Sequence, residues 1–133
     1  MAKLAMTFER GGSITATVLE NRAPETCRKV LAALPVTAEV VHAMWAGEEI
    51  FFGDFPAQFE YEQPTQEVAP GALAMVPRSR SFCIFYGRAI PRGAVDETID
   101  VTVFGTVDDV DAMAAIGQRV RRQGVEKVTI TRA

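Results

Sequence analysis

The chain has few of the residues from which metal and nucleophilic sites are usually built. Its 133 residues include two cysteines, one histidine and one tryptophan. Cys27 and Cys83 lie far apart and belong to no CxxC or His-rich spacing, and the Gly-Gly pair at 11–12 fits a hairpin turn rather than a phosphate loop. We therefore expect no metal and no bound cofactor. Two isolated cysteines in apolar segments are typical of reduced, buried thiols in a cytoplasmic protein.

The chain also lacks a net positive charge and long hydrophobic runs. The net charge is −3 and the pI is about 5.2, so no basic field is available to hold a phosphate backbone, and nucleic acid is not an expected partner. No apolar run approaches the ~18 residues of a membrane span, and the amino terminus lacks the pattern of a secretion signal. A composition of 48% hydrophobic and 23% charged residues predicts one globular domain over residues 1–133.

Alternating apolar residues and short apolar runs predict a mainly β chain. The predicted strands are 3–9, 13–20, 36–45, 48–52, 71–76, 81–87, 98–107 and 126–131. The runs at 71–76 and 81–87 are almost entirely apolar, so we expect both of their faces to be buried.

Two segments instead repeat their apolar residues at the helical spacing. Pro24 suits the first turn of a helix at about 24–34, and Asp108 or Asp109 suits the cap of a second helix at about 109–121. Each helix has one apolar stripe, which must cover another element. Seven or eight strands with two such helices predict a closed or nearly closed antiparallel β-barrel whose ends the helices cover.

Six motifs occur in order along the chain: APETCRKVLAAL (23–34), VVHAMWAGEEIFFGDF (40–55), PGALAMV (70–76), SFCIFYG (81–87), VTVFGTVDDVDAMAAI (101–116) and KVTIT (127–131). Together they resemble the cyclophilin-like superfamily over nearly the whole chain. The similarity is greatest to small bacterial and archaeal cyclophilin-like proteins of unknown function, in which Trp-Gly-Glu-Glu-Ile-aromatic-Phe also occurs. This sequence differs from that motif by the insertion of Ala46.

The resemblance implies a prolyl isomerase fold without the prolyl isomerase activity. Cyclophilins lower the ~20 kcal/mol barrier to rotation about the prolyl bond with an arginine that hydrogen-bonds the prolyl nitrogen. The matching residue here is Ala43, which has no donor, and the apolar pair that faces the substrate corresponds to Glu48 and Glu49. We expect the isomerase activity to be lost, unless Arg78 or Arg80 replaces the missing arginine. Whether another reaction is catalysed, and by which residues, is left open.

Charged residues at the family's groove predict the binding of a small polar or charged metabolite. Successive side chains of a strand alternate across a sheet, so we expect one of Glu48 and Glu49 to face the groove and the other to face solvent or a partner. The loop 77–80 would border the same groove, where arginines could bind a carboxylate. The predicted ligand-binding residues are Glu48, Glu49, Arg78, Arg80, Tyr86, Trp45, Phe82 and His42.

Two other functions stay open. The exposed apolar and charged segments could be subunit contacts of a homo-oligomeric scaffold without chemistry, and a residual prolyl isomerase is the third alternative. Individual residues also have plainer interpretations. Glu48 and Glu49 could be a solvated strand end or ion-pair partners of the nearby arginines, and His42 could be a packed strand residue.

Overall fold

The structure is a computed structural model that describes residues 2–95 and 97–133. Within these residues the chain is mainly β, as predicted, and both helices begin and end within two residues of the predicted positions. The elements in chain order are β1 (Lys3–Phe8), β2 (Ser13–Val18), α1 (Pro24–Ala33), β3 (Val36–His42), β4 (Gly47–Phe52), β5 (Ala72–Val76), β6 (Ser81–Ala89), β7 (Thr102–Val107), α2 (Val110–Gln123) and β8 (Glu126–Arg132).

The strands form a closed antiparallel barrel in the order β1-β2-β7-β5-β6-β4-β3-β8. The β1–β2 hairpin turns at Gly11 and Gly12, whose φ angles of 115° and 96° are those that glycine adopts without strain. The last strand closes the barrel, because β8 pairs with β1 on one side and with β3 on the other. The predicted closed barrel is therefore confirmed.

The barrel interior is filled by apolar side chains that alternate with outward-facing residues along each strand. Four aromatic rings form its centre. Phe82 stacks on Phe52 with ring centroids 5.2 Å apart and meets Phe104 edge to face at 5.4 Å, while Phe55 stacks on both Phe52 and Phe82. Aromatic pairs at these distances add to the stabilisation from burial alone.

A second apolar layer lies outside the barrel wall. It is formed by outward-facing residues of β5, β6 and β7 with neighbouring connections: Ala72, Ala74, Val76, Cys83, Phe85, Val101 and Val103. Strands β5 and the first part of β6 are therefore buried on both faces, as their continuous apolar runs predicted. This outer layer forms part of the floor of the candidate site.

Helix α1 begins at Pro24 and receives its cap from a distant segment. Ala23, the residue before the helix, offers no side-chain hydrogen bond. Instead, the carboxylate of Glu62 accepts from the backbone N–H groups of Glu25 (3.2 Å) and Thr26 (2.7 Å) and from the Thr26 hydroxyl (2.7 Å). These bonds satisfy free donors of the first turn and tie the irregular connection between β4 and β5 to the helix.

Helix α2 is capped locally and packs on β3, β4 and β6. Asp109 accepts a hydrogen bond from Ala112 N (3.0 Å), and the helix ends at Gly124, where φ is 86°. Its buried stripe consists of Met113, Ile116, Gly117 and Val120. Gly117 in this stripe lies directly against the ring of Tyr86, and a Cβ at this position would overlap that ring. In the described part of the chain, no helix combines the length and apolar character needed to cross a bilayer.

Candidate functional site

A cleft with a volume of about 250 Å³ lies outside the barrel, over strands β4, β5 and β6. We call it the outer groove. Its floor consists of outward-facing strand residues, among them Glu49, Phe51 and Cys83, and its rim consists of the segments 78–79 and 92–94. Because the other face of these strands packs into the barrel core, the floor is held on rigid elements.

Glu49 places a buried carboxyl on this floor. The residue is 5% exposed. In the register of β4 with β6, Glu49 faces Phe85 and Phe51 faces Cys83, so Glu49 and Cys83 are diagonal neighbours on the outer face. Burial raises the pKa of the Glu49 carboxyl to about 7, against the opposing effect of a hydrogen bond with the Cys83 thiol. Near neutral pH this carboxyl is therefore partly protonated.

Cys83 contributes a protonated thiol rather than a nucleophile. Burial, followed by the neighbouring Glu49 carboxyl, raises the pKa of the Cys83 thiol well above its usual range. Both Cys27 and Cys83 are buried free thiols, as expected. A thiol that stays protonated is a poor nucleophile and a weak hydrogen-bond donor, so Cys83 is suited to positioning the Glu49 carboxyl and not to nucleophilic attack.

Arginines and hydroxyl groups line the same groove as the Glu49 carboxyl. Arg78 and Arg92 both line the groove. The side chain of Arg78 is 77% exposed and lies 3.7 Å from Glu97. Ser79 and Ser81 also line the groove, with their hydroxyl oxygens 2.7 Å apart. The groove thus combines a buried carboxyl, hydroxyl groups and guanidinium groups around an apolar floor.

Trp45 closes one side of the groove. Its indole Nε1 donates to the backbone carbonyl of Arg92 (3.0 Å), and the backbone N–H of Ile90 donates to Ala46 (2.8 Å). These bonds join the β3–β4 turn to the connection that follows β6. Two loops that are more than 40 residues apart in sequence therefore form one wall.

Glu48 faces away from the outer groove. Its carboxylate accepts hydrogen bonds from the backbone N–H of Arg88 (3.0 Å) and from Gln118 Nε2 of α2 (2.9 Å). The pairing of β4 with β6 is irregular between Gly47 and Glu49, and at this point the chain passes from the turn into the strand. The two adjacent carboxylates thus lie on opposite faces, one in the groove and one against the second helix.

His42 and Tyr86 also lie beneath α2. His42 Nε2 and the Tyr86 hydroxyl are 2.6 Å apart. The pKa of His42 is lowered, first by burial and then by the charge of Arg121, and burial raises the pKa of Tyr86. Both side chains lie on the inner face of the barrel sheet, since His42 pairs with Ile50 and Tyr86 belongs to the barrel core, whereas Glu49 lies on the outer face.

Of the eight predicted ligand-binding residues, the structure brings Glu49, Arg78 and Trp45 to the outer groove. Phe82 lies inside the barrel core with no exposed surface. Arg80 points to Asp54, 3.3 Å away. The remaining three predicted residues, Glu48, His42 and Tyr86, lie beneath α2.

Several groove residues were not among the predicted ones, notably Ser79, Ser81, Cys83 and Arg92. The signal for Ser81 and Cys83 is that Ser81, Cys83 and Phe85 follow one another at a spacing of two residues, which puts all three on one face of β6. The register that sets this face opposite Glu49 is a property of the folded sheet. Within residues 2–95 and 97–133, no cluster of His, Cys, Asp and Glu side chains is suited to a metal ion.

The fold and the groove together define a class: a small, closed, eight-stranded antiparallel barrel with two helices and a polar cleft outside its wall. The chain belongs to DUF3830, a family of proteins of unknown function, whose sequence profile matches residues 6–132. The barrel is compatible with the cyclophilin-like resemblance of the sequence. Comparison with curated proteins found no match.

The solved structures that are similar to the chain include those of AF2241 and McbB. The solution structure of the hypothetical protein AF2241 from Archaeoglobus fulgidus has a TM-score of 0.69 at 26% identity and covers 99% of this chain and 95% of that one. The structure of McbB in complex with tryptophan has a TM-score of 0.79 at 18% identity and covers 97% of this chain. The chain spans 44% of the length of McbB, and this likeness shows the fold alone.

Proposed function

We propose that the outer groove binds a small metabolite that carries a carboxylate beside an apolar body. The observation that carries this proposal is the buried Glu49 carboxyl on the groove floor, with Arg78 on the rim above it. A buried polar group costs free energy unless it is compensated. Carboxyls in such positions are enriched at functional sites.

The lining of the groove suggests the chemistry of its ligand. Guanidinium groups such as that of Arg78 bind carboxylates with paired hydrogen bonds. Phe51, Val76 and Ile99 offer apolar contact, and Trp45 offers an aromatic ring. Glu49 can donate a hydrogen bond when protonated and accept one from an ammonium group when ionised. A groove of about 250 Å³ is at the small end of ligand sites, which favours a single small molecule.

Tryptophan is a reasonable first probe, because McbB, which shares the fold, is described in complex with it. Isothermal titration with L-tryptophan and phenylpyruvate would test the groove, with tryptamine, which has no carboxylate, as the matched negative ligand. We expect Arg78→Ala to lower the affinity for the carboxylate probes by about ten- to hundredfold, since a hydrogen bond to a charged group contributes about 1.5–3 kcal/mol.

Arg122→Ala is the matched control, because Arg122 is an exposed arginine on α2, outside the groove. It should leave the affinity unchanged. If neither carboxylate probe binds, or if Arg78→Ala and Arg122→Ala bind equally well, the proposed carboxylate site is refuted.

We also propose that the chain derives from a cyclophilin-like ancestor and has lost prolyl isomerase activity. Ala43, which matches the cyclophilin arginine in sequence, lines the groove and is buried. It has no donor for a prolyl nitrogen. A tetrapeptide isomerisation assay should show no rate above the uncatalysed one, and a clear enhancement would contradict the loss.

Association of two copies of the chain is a second candidate function. Large apolar side chains are exposed on the two loops that form the Trp45 wall, including Met44 (65% exposed) and Val95 (81%). Exposed apolar clusters of this kind are typical of interaction sites, and the same patch on two copies can pair about a two-fold axis. Light scattering should then show a dimer that Met44→Glu dissociates. A monomer at high concentration would exclude this candidate.

A further inference from the structure

Two glutamates are buried in the part of the chain that the structure describes, and their surroundings differ. Glu126 is 1% exposed, and Arg119 binds both of its carboxylate oxygens at 2.9 Å while Arg10 lies 3.3 Å away. These arginines bring the pKa of Glu126 below its usual value, although burial alone would raise it. Glu126 is thus a compensated ion pair that links the β1–β2 hairpin, α2 and β8.

Glu49 is buried to a similar degree without such compensation. In the described part of the chain no arginine or lysine forms an ion pair with it, and the group that opposes the effect of burial on its pKa is the neighbouring Cys83 thiol, which itself donates to the carbonyl oxygen of Ser81 (3.8 Å). Burying a carboxyl in this way costs stability. This buried carboxyl lies on the floor of a groove that also contains hydroxyl groups and guanidinium groups, which indicates a chemical use for it.

The neighbours of Glu49 supply the other groups that proton transfer needs. Ser79 and Ser81 offer hydroxyl donors to an oxygen on which negative charge develops. Arg78 can hold a carboxylate at the rim. The alternative bases are excluded by position or protonation, because His42 lies beneath α2 and the Cys83 thiol stays protonated. A carboxyl that titrates near neutral pH suits general acid–base catalysis.

We propose that Glu49 is a catalytic acid–base residue that moves a proton to and from the carbon beside the carbonyl group of a bound 2-oxo acid. This inference rests on the proposed carboxylate-binding function of the groove. The ionised carboxyl takes a proton from the carbon. The electron pair of that C–H bond forms a carbon–carbon double bond, and the carbonyl π electrons move to the oxygen, giving an enolate. Return of the proton from Glu49 to the carbon restores the 2-oxo acid.

The test is the exchange of carbon-bound hydrogen for deuterium in phenylpyruvate. In D₂O the Glu49 carboxyl exchanges its proton with solvent before returning it, so the C3–H signal in the proton NMR spectrum disappears. The full chain should accelerate this loss over protein-free buffer. Glu49→Gln should reduce the protein-dependent rate by about 100-fold, which is within the usual contribution of a general base, and should keep the affinity for phenylpyruvate measured by calorimetry.

Glu48→Gln is the matched control, since it makes the same chemical change one residue away, on the face toward α2. It should exchange phenylpyruvate at the wild-type rate. Should Glu49→Gln fail to fold, Glu49→Asp replaces it. This variant retains a carboxyl but withdraws it from the ligand, so exchange should fall while binding persists.

The outcomes separate the two proposals. Binding of phenylpyruvate without protein-dependent exchange, or wild-type exchange by Glu49→Gln and Glu49→Asp, overturns the role of Glu49 and leaves the carboxylate site standing. Absence of binding overturns both. Binding with exchange that depends on Glu49 but not on Glu48 supports the inference.

Discussion

Replacing Glu49 with glutamine should stabilise the chain more at pH 8 than at pH 4.5. Burial raises the pKa of the Glu49 carboxyl to about 7 in the folded chain, from an ordinary value of 4.5. Between these values the folded chain holds a proton that the unfolded chain releases. The stability of the wild type therefore falls as the pH rises through this window, and the loss is complete above about pH 7. Glutamine does not ionise, so the variant avoids the loss.

The size of the effect follows from the two pKa values. Raising a carboxyl pKa by one unit corresponds to ~1.4 kcal/mol of free energy. Between pH 4.5 and pH 8 the free energy of unfolding of the wild type should therefore fall by roughly 3 kcal/mol relative to that of Glu49→Gln. Solvent screening removes little of this, because Glu49 is 5% exposed. Comparing the two pH values cancels any intrinsic difference between glutamine and protonated glutamate.

Denaturant unfolding of both proteins at pH 4.5, 6 and 8 measures the effect. Glu62→Gln is a control of opposite sign when its pH series is extended down to about pH 3. The hydrogen bonds from Thr26 and Glu25 outweigh burial and hold the pKa of Glu62 below 4.5, so its carboxylate stabilises the fold at pH 8 and less as the pH falls through that pKa. An advantage of Glu49→Gln that is the same at pH 4.5 and pH 8 would refute the reasoning.

Three substitutions test a packing contact, a buried ion pair and a helix cap outside the groove. Gly117→Ala places a Cβ against the ring of Tyr86 and should cost about 1–3 kcal/mol by overpacking, seen as a lower melting temperature. Arg119→Met removes the bidentate partner of the buried Glu126 carboxylate, so the free energy of unfolding should fall by about 3 kcal/mol, and a smaller fall at low pH would show that the charge is responsible. Glu62→Gln weakens the cap of α1 and should cost about 1 kcal/mol at neutral pH by denaturant unfolding.

The sequence predicted those parts of the fold that depend on local patterns. Pro24, Asp109 and the Gly11–Gly12 turn lie where local capping and turn chemistry placed them, and the apolar runs at 71–76 and 81–87 are buried on both faces. The cap of α1 could not be predicted, because its acceptor, Glu62, is 36 residues from Thr26 in sequence and reaches the helix only after the barrel forms.

The sequence predicted the separation of the two adjacent glutamates, but it could not predict which residues form the groove. Strand alternation predicted that Glu48 and Glu49 separate, and the structure assigns Glu49 to the groove. That choice depends on the register with β6 and on the loop that follows β6. Phe82 and Tyr86 occupy a run that is apolar on both faces, so composition could not show that they point inward while Cys83 and Phe85 point outward.

Strands β4 and β6 link the centre of the barrel to the groove, because one face of each strand packs into the barrel core and the other forms the groove floor. Ile50 and Ile84 pack inside the barrel, and in sequence Ile50 directly follows Glu49 and Ile84 directly follows Cys83, two residues of the groove floor. A change of volume at either isoleucine would shift the shared backbone by a fraction of an ångström and move the carboxyl and the thiol with it. Under the proposed function, substitutions inside the barrel would change ligand preference without touching the ligand, so laboratory selection for new specificity should look inside the barrel as well as around its rim.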